Sequence, residues 1–418
     1  MNKTELMELI RNRENSGVEF KRDDVSSERL AREIVGLLNL NGGHILLGVE
    51  DDETVSGLTR DRGAAEEWVM EVARTHVQPA TIPYWETIDW KAGKSVGIVS
   101  LPANAPDKPY KVKRGSAWIT KVRVGTTTRD ATREEEERLY QLSGRLQYGL
   151  KPVLGTGLDT FDFRRLRDYF TRILGGDAPE IGDADGWQTL LLNLDLATTA
   201  IEQPSATVDG MLLFGKNPRR FLPQSGVRAV CYLGTEPDYA TRADETLTGP
   251  LTPLGVSDGS LVEPGLVDQA WDFVCRNTTP SARLEGARRR DRWEYPEAVM
   301  RETIVNALVH RDYSIAGTDV MLSIFSDRLE VTSPGRLPNT VTPEGMMSGL
   351  RYARNQTLVN VMRDYGYVDA RGMGVRNKII PGMRAHNGTD PDLIEDEHRF
   401  TVRLWHHRGA SPQLPFDA

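Results

Sequence analysis

Cysteine is nearly absent from this chain, with only Cys231 and Cys275 present. Two thiols far apart form no metal-ligand spacing and no disulfide framework. The expectation is two reduced structural thiols in a cytoplasmic protein. Long apolar runs are missing too. The most apolar stretches, such as Gly210 to Gly215, are far too short to cross a bilayer, so no membrane partner is expected. Met1 to Arg13 alternates polar and apolar residues like a short amphipathic helix and has no apolar signal core. An excess of positive charge is also lacking, since 52 Lys+Arg against 60 Asp+Glu leave a net charge of -8. That argues against a general polyanion-coating protein but leaves room for a local basic groove.

What is present is ordinary for a folded chain: 39% hydrophobic and 27% charged residues. A length of 418 residues is too much for one hydrophobic core and points to two or three domains. Strand and helix patterns are mixed, so the expected class is α+β, multidomain. The expected domains are residues 1–147, 151–262 and 263–408, followed by a Pro- and Gly-containing tail, 409–418. Ser27 is placed to cap a helix running through Leu38, and Asn41-Gly42-Gly43 stops it. His44 to Val49, Ser95 to Leu101 and Ala117 to Val124 read as strands, with Thr132 to Leu146 a charged helix. Phe161 to Leu174, Trp187 to Thr199, Leu266 to Asn277, Tyr295 to Val309 and Asn355 to Tyr365 read as helices. Val227 to Leu233 and Phe400 to His406 read as strands, and Thr318 to Phe325 with Arg328 to Thr332 as an antiparallel pair. Gly234 to Asp258 is expected to be loop or short strand, and Arg288-Arg289-Arg290 an exposed loop.

Gly210 to Asn217 has the glycine and lysine spacing of a Walker A loop, but Asn217 replaces the Mg²⁺-binding Ser or Thr. Its four spacer residues, Met211 to Phe214, are large and apolar and belong in a core. A P-loop is therefore rejected. The helix from Tyr295 is more informative. Glu302 and Asn306 recur one turn apart, with His310 a turn further. An amide oxygen can ligate Mg²⁺ while a carboxylate orients or deprotonates water. On this helix alone the favoured reading is a plain polar stripe. Ser333-Pro334-Gly335-Arg336 directly after a strand, and Arg371-Gly372-Met373-Gly374 opening a helix, add weight. Glycines there let backbone N–H groups approach phosphates.

Glu302-x-x-x-Asn306-Ala307 resembles the N-box of GHKL ATPases. The strings RETIVNALVHRDYS, SDRLEVTSPGRLP, RNQTLVNVMRDYGYVDARGMG and VDGMLLFGKNPRRFLPQ resemble RecG-like, AlbA-domain proteins named as transcriptional regulators. The resemblance covers nearly the whole chain. It implies a GHKL-like α/β sandwich at the carboxy terminus that takes ATP with Mg²⁺. It makes Glu302 the hydrolytic base and Asn306 the Mg²⁺ ligand, with His310 in the same set. Gly335 would lie in the loop near the base, and Gly372 and Gly374 would cradle phosphates. Ser333 stands where many GHKL proteins carry an Asp that reads the adenine amino group, which leaves base specificity open. No motor motifs are present, so unwinding is excluded.

Near the amino terminus, Glu14, Glu19 and Lys21 lie close in sequence, and Glu50-Asp51-Asp52 follows a strand. Acidic residues gathered from two elements can hold Mg²⁺ or Mn²⁺, and a lysine can steady developing negative charge. By spacing alone the favoured reading is three exposed acidic turns. ENSGVEFK, NLNGGHILLGVEDDETVSGL and KVRVGTTTRDATREE resemble the AlbA-type domain shared with Schlafen proteins. That resemblance implies nucleic-acid association. By analogy with Schlafen nucleases it implies a metal-dependent RNA-cleaving site at Glu14, Glu19 and Asp51, with Glu50 or Asp52 close enough to take the third place. For that site to form, Val18 to Phe20 must lie as a strand beside His44 to Val49, with Lys21 on the face of Glu19.

Lys111, Lys113, Arg114, Lys121 and Arg123 are the expected nucleic-acid contacts, with Tyr110 and Trp118 available to stack on unpaired bases. Strand alternation allows only part of this set to share a face. The leading reading is an ATP-binding regulator associated with DNA or RNA, forming a homodimer or higher oligomer, whose nucleotide state controls the AlbA-type domain. The competing readings are a metal-dependent nuclease gated by ATP and a nucleotide-dependent scaffold.

Overall fold

The computed structural model describes residues 1–103, 105–199, 203–256, 260–278, 281–285, 288–338, 341–350, 352–368, 374–396 and 398–406, with side chains left aside at 92, 281–285 and 288–292. The chain forms two compact units, one built on Met1–Leu146 and the other on Gln147–Leu337 with the chain from Val341 onward.

The first unit opens with α1 (Lys3–Arg11), β1 (Val18–Lys21), α2 (Ser27–Asn39), β2 (Gly43–Leu47) and α3 (Arg62–Thr75). It continues with β3 (Val77–Gln78), β4 (Tyr84–Asp89), β5 (Ser95–Leu101), β6 (Lys111–Arg114), β7 (Ala117–Val124), β8 (Thr127–Asp130) and α4 (Arg133–Leu142). One four-stranded sheet has the order β1-β2-β5-β4 and a second the order β3-β6-β7-β8. β1 runs parallel to β2, pairing Glu19 with Ile45. The apolar run of β2 has a direct cause. Ile45 and Leu47 join the cluster under Leu30, Ile34, Leu37 and Leu38 of α2. Leu46 points the other way and joins Leu6, Ile10 and Phe20. A strand buried on both faces cannot alternate with polar residues. Ser26, rather than Ser27, caps α2 by accepting from the Arg29 N–H.

The second unit contains α5 (Phe163–Asp168), α6 (Ala184–Asn193), β9 (Ala197–Thr198), β10 (Ser205–Ala206), α7 (Val208–Phe214), α8 (Pro218–Phe221), β11 (Val227–Tyr232) and β12 (Thr241–Leu247). β13 (Leu254–Gly255), β14 (Leu261–Glu263), α9 (Leu266–Asn277), β15 (Ser281–Glu285), β16 (Arg288–Arg292) and α10 (Glu297–Val309) follow. β17 (Val320–Ile324), β18 (Arg328–Pro334), α11 (Pro343–Ser348), α12 (Gln356–Asp364), α13 (Ile380–Asn387), β19 (Asp392–Glu395) and β20 (Arg399–Trp405) complete it. Its six-stranded sheet has the order β12-β11-β17-β18-β20-β19. β11 pairs parallel with β17, and the other neighbours are antiparallel.

This sheet runs across the boundary expected at residue 262. β11 and β12 precede it and β17 follows it. Val227 and Ala229 share one core with Ile304 and Leu308 of α10 and Leu322 of β17. The division inside residues 151–408 is therefore redrawn: strand pairing and a shared core join the two segments.

Other differences have local causes. The helix expected over 187–199 ends at Asn193, and Asp195 takes a positive φ of 57°. The polar stretch from Gly234 contains the edge strand β12, whose outer residues meet solvent, so its composition reads as loop. Arg288 to Arg290 lie in β16, paired antiparallel with β15, rather than in a loop. The Walker-like string forms the buried helix α7. A Cβ on Gly210 would sit 2.0 Å from the Leu196 carbonyl oxygen, so that glycine serves backbone packing.

Next to it, Asp209 is buried and one of its carboxylate oxygens has no hydrogen-bond partner. A Cβ on Gly149 would sit 2.4 Å from both oxygens. Burial pushes the Asp209 pKa up to about 7, opposed by a hydrogen bond from the Leu358 backbone, and Tyr313 is its ionisable neighbour. The folded state therefore keeps a proton that the unfolded chain releases near pH ~4. Stability contributed by this group falls as pH rises from ~4 to ~7. Asp209→Asn is expected to flatten that dependence in urea unfolding of the full chain. An unchanged pH dependence in the variant contradicts the assignment.

Candidate functional site

α10 is buried almost all round: Val299, Met300, Glu302, Thr303, Ile304, Val305, Leu308 and Val309 all lose their solvent contact. Glu302 is therefore a carboxylate inside a core, with its side chain 2% exposed. Such a charge needs donors. Asn306, one turn on, donates from Nδ2 to Glu302 Oε1 at 3.2 Å. Lys378 donates from Nζ to Oε2 at 3.1 Å. Lys378 was not among the expected site residues. Its signal in the sequence is its place four residues after Gly374. Gly374 itself abuts the carboxylate, and a Cβ there would sit 1.7 Å from Oε1. Only glycine fits. The amide oxygen of Asn306 stays available for a cation, because Nδ2 makes the bond to Glu302. The Asn306 amide oxygen, beside the helix that follows Gly374, is the oxygen here that could take a Mg²⁺ carried by a polyphosphate.

The outer end of the expected set behaves differently. His310 caps α10 with its Nδ1 sealed and without a hydrogen-bond partner. Burial and the Arg354 charge hold its pKa down at about 4, so the ring is neutral at pH ~7. It supplies no positive charge for a phosphate. Arg354 donates to the His310 carbonyl at 3.2 Å, and Asn355 Nδ2 ties the Val309 and Arg311 carbonyls at 2.9 Å each. Gly335 needs glycine for its φ of 102°. Its N–H donates to the His398 carbonyl at 2.8 Å. That N–H is thus committed within the fold. Gly372 lies outside the described residues.

At the amino terminus β1 lies beside β2 as expected, and Lys21 shares the face of Glu19. Lys21 Nζ is 2.5 Å from Glu19 Oε1 and 3.8 Å from Glu14 Oε1. Glu14 Oε1 also accepts the Phe20 N–H at 2.8 Å. The other oxygen of Glu19 meets Arg123 Nη1 at 2.7 Å. Asp51 is exposed in the turn after β2. Burial, followed by the charges of Glu19 and Asp51, pushes the Glu14 carboxyl up, against the Phe20 hydrogen bond and Lys21. Among the described residues no three His, Cys, Asp or Glu stand close enough together to hold a metal ion. Lys21 and Arg123 both lie at the Glu19 carboxylate, while Glu19 Oε2 makes no hydrogen bond and Asp51 is near enough for its charge to act on Glu14.

Strand alternation splits the basic set. Lys121 and Arg123 occupy the α2 side of β7. Lys121 is buried and pairs with Asp130. Arg123 has a side chain 0% exposed. Besides Glu19 it meets Glu33 of α2 at 3.5 Å and the Asn15 and Val18 carbonyls at 2.7 and 3.1 Å. Both side chains are committed to partners within the fold. Lys111 pairs with Glu136 at 2.7 Å. Lys113 and Arg114 are exposed. Trp118, 38% exposed, stands opposite Lys113 in the hairpin register. Tyr110 is buried and cannot stack on a base.

Residues 14–132 match the family described as "Schlafen, AlbA_2". Residues 317–404 match the family described as "Putative ATP-dependent DNA helicase recG C-terminal". The chain thus carries an AlbA/Schlafen-like amino-terminal region and an HATPase-like carboxy-terminal region. Among solved structures, the DIP2311 protein from Corynebacterium diphtheriae is 20% identical over 94% of this chain and 76% of that chain, with a TM-score of 0.44. The amino-terminal domain of an ATP-dependent DNA helicase RecG-related protein from Nitrosomonas europaea is 19% identical over 32% of this chain and 94% of that chain, with a TM-score of 0.25. No curated protein matches.

Removing Arg123 leaves Glu19 and Glu33 buried without their shared cation. Arg123→Ala is expected to destabilise the first unit by about 3–5 kcal/mol, whereas Lys113→Ala is expected to stay within about 0.5 kcal/mol. Urea unfolding checks both. Equal stabilities for the two variants contradict a structural role for Arg123.

Proposed function

We propose that the chain is a nucleic-acid-associated nucleotide-binding protein. ATP with Mg²⁺ binds against α10 and the helix that opens at Gly374, and the nucleotide state controls the hold of the amino-terminal region on nucleic acid. The observation that carries the nucleotide reading is the buried Glu302 carboxylate, flanked by Asn306 and Lys378 and covered by Gly374. The match of residues 317–404 supports it. Asn306 Oδ1 would hold the cation, which offsets phosphate charge when bound. Glu302 orients water and accepts its proton at Oε2 when hydrolysis occurs. On the nucleic-acid side, Lys113 offers a phosphate contact beside Trp118 as a stacking surface, and Arg114 lies on the opposite face of the hairpin. The match of residues 14–132 supports that assignment. The second reading is metal-dependent cleavage at Glu14, Glu19 and Asp51, in which a divalent ion takes the place of Lys21 and Arg123 at the Glu19 carboxylate.

Calorimetry with ATP tests the nucleotide reading. Asn306→Ala is expected to weaken Mg²⁺-dependent binding by about tenfold, the loss of one charge-assisted contact. Unchanged affinity in a folded Asn306→Ala variant sinks the ligand role, and a folded wild type that binds no nucleotide sinks the reading. Fluorescence anisotropy of a labelled single-stranded oligonucleotide tests the other half. Trp118→Ala is expected to cost about 1–3 kcal/mol of binding, and adding Mg²⁺ and ATP is expected to shift the wild-type affinity. Binding that ignores both changes contradicts the proposal.

A further inference from the structure

Lys378 is the loose member of the Glu302 cluster. Glu302 and Asn306 are fixed on a buried helix. Gly374 closes over the carboxylate so tightly that a Cβ would sit 1.7 Å from Oε1, so Glu302 has no room to swing toward it. Lys378 has a side chain 37% exposed and a flexible four-carbon stem. Its ammonium holds Oε2 at 3.1 Å, and Asn306 holds Oε1. In this state both carboxylate oxygens are engaged by donors, and neither is free to take hold of a water.

We propose that Lys378 is an exchange latch. Without nucleotide it holds Glu302. A bound triphosphate draws the ammonium onto its terminal phosphate, which frees Oε2. The inference rests on the nucleotide reading above. Its physical basis is charge. A polyphosphate set beside an ion-paired carboxylate brings like charges together. A cation on a flexible stem can move to the more highly charged partner at the solvent side. The exchange couples occupancy to base release: Glu302 is idle until a phosphate takes its lysine. It also gives Lys378 a part in binding that competes with its bond to Glu302.

That competition is measurable as a double-mutant cycle on the full chain, using calorimetry with Mg²⁺ and ATP. Glu302→Gln weakens the hold on Lys378 and is expected to tighten ATP binding by about tenfold. In the Lys378→Met background the same substitution is expected to change nothing, since no lysine is left to release. Equal tightening in both backgrounds would mean simple carboxylate–phosphate repulsion and overturns the latch, as does no tightening in either. Lys378→Met alone leaves Glu302 buried without a cation and can fail to fold. The double variant leaves no buried charge alone. It is then compared with Glu302→Gln directly and is expected to bind ATP about tenfold more weakly. Equal affinities of those two overturn the latch. A wild type that binds neither ATP nor ADP fails the nucleotide reading itself and the latch with it.

Discussion

The second unit is organised around one costly placement: a carboxyl group, Glu302, on a helix that is buried on nearly every side. A charge removed from water needs donors, and their arrangement fixes much of what surrounds it. Asn306 must lie one turn away. Position 374 must be glycine, because a Cβ would collide with the carboxylate. The helix beginning there must bring Lys378 to the second oxygen. At the far end of α10, Ser333 donates to the Ala307 carbonyl and Asn355 holds the last carbonyls. The sheet, through β18, is thereby tied to the same helix.

The first unit solves a similar problem with a different outcome. Glu19 and Glu33 are buried, and Arg123 lies between them with no exposed side-chain surface. Thr128 completes Glu33 with a hydrogen bond of 2.6 Å. Lys21 takes the remaining side of Glu19. Carboxylates compensated in this way form a structural network joining β1, α2, β7 and β8. The acidic and basic residues that read as catalytic and nucleic-acid-binding in one dimension are partly partners of each other. Of the basic residues expected to meet nucleic acid, Lys113 and Arg114 at the hairpin end are the exposed ones.

Periodic, apolar elements were legible in the sequence. The helix over Leu266 to Asn277 and the strand Ser95 to Leu101 stand where their patterns place them. The neighbour of β2 was reached only as a condition for Glu14, Glu19 and Asp51 to converge, and its parallel sense comes from the structure. Elements with polar exteriors were not legible. The edge strand β12 and the exposed strand β4 carry too little apolar alternation to announce themselves. The pairing of β11 with β17 joins residues nearly a hundred positions apart, and no local pattern reports it. Glu302, Asn306 and Gly374, which the structure brings together, were singled out because helical spacing and glycine have local meaning. Lys378 and the burial of Arg123 depend on which helix or strand lies opposite, and that is tertiary information.

Hydrogen–deuterium exchange on the full chain, with and without saturating Mg²⁺ and ATP, tests the central claim most directly. The account predicts slower exchange in the helix that opens at Gly374 and in the last turns of α10, where Glu302, Asn306 and Lys378 meet. Nucleotide that leaves both segments unchanged, or slows exchange only elsewhere in the chain, would contradict it.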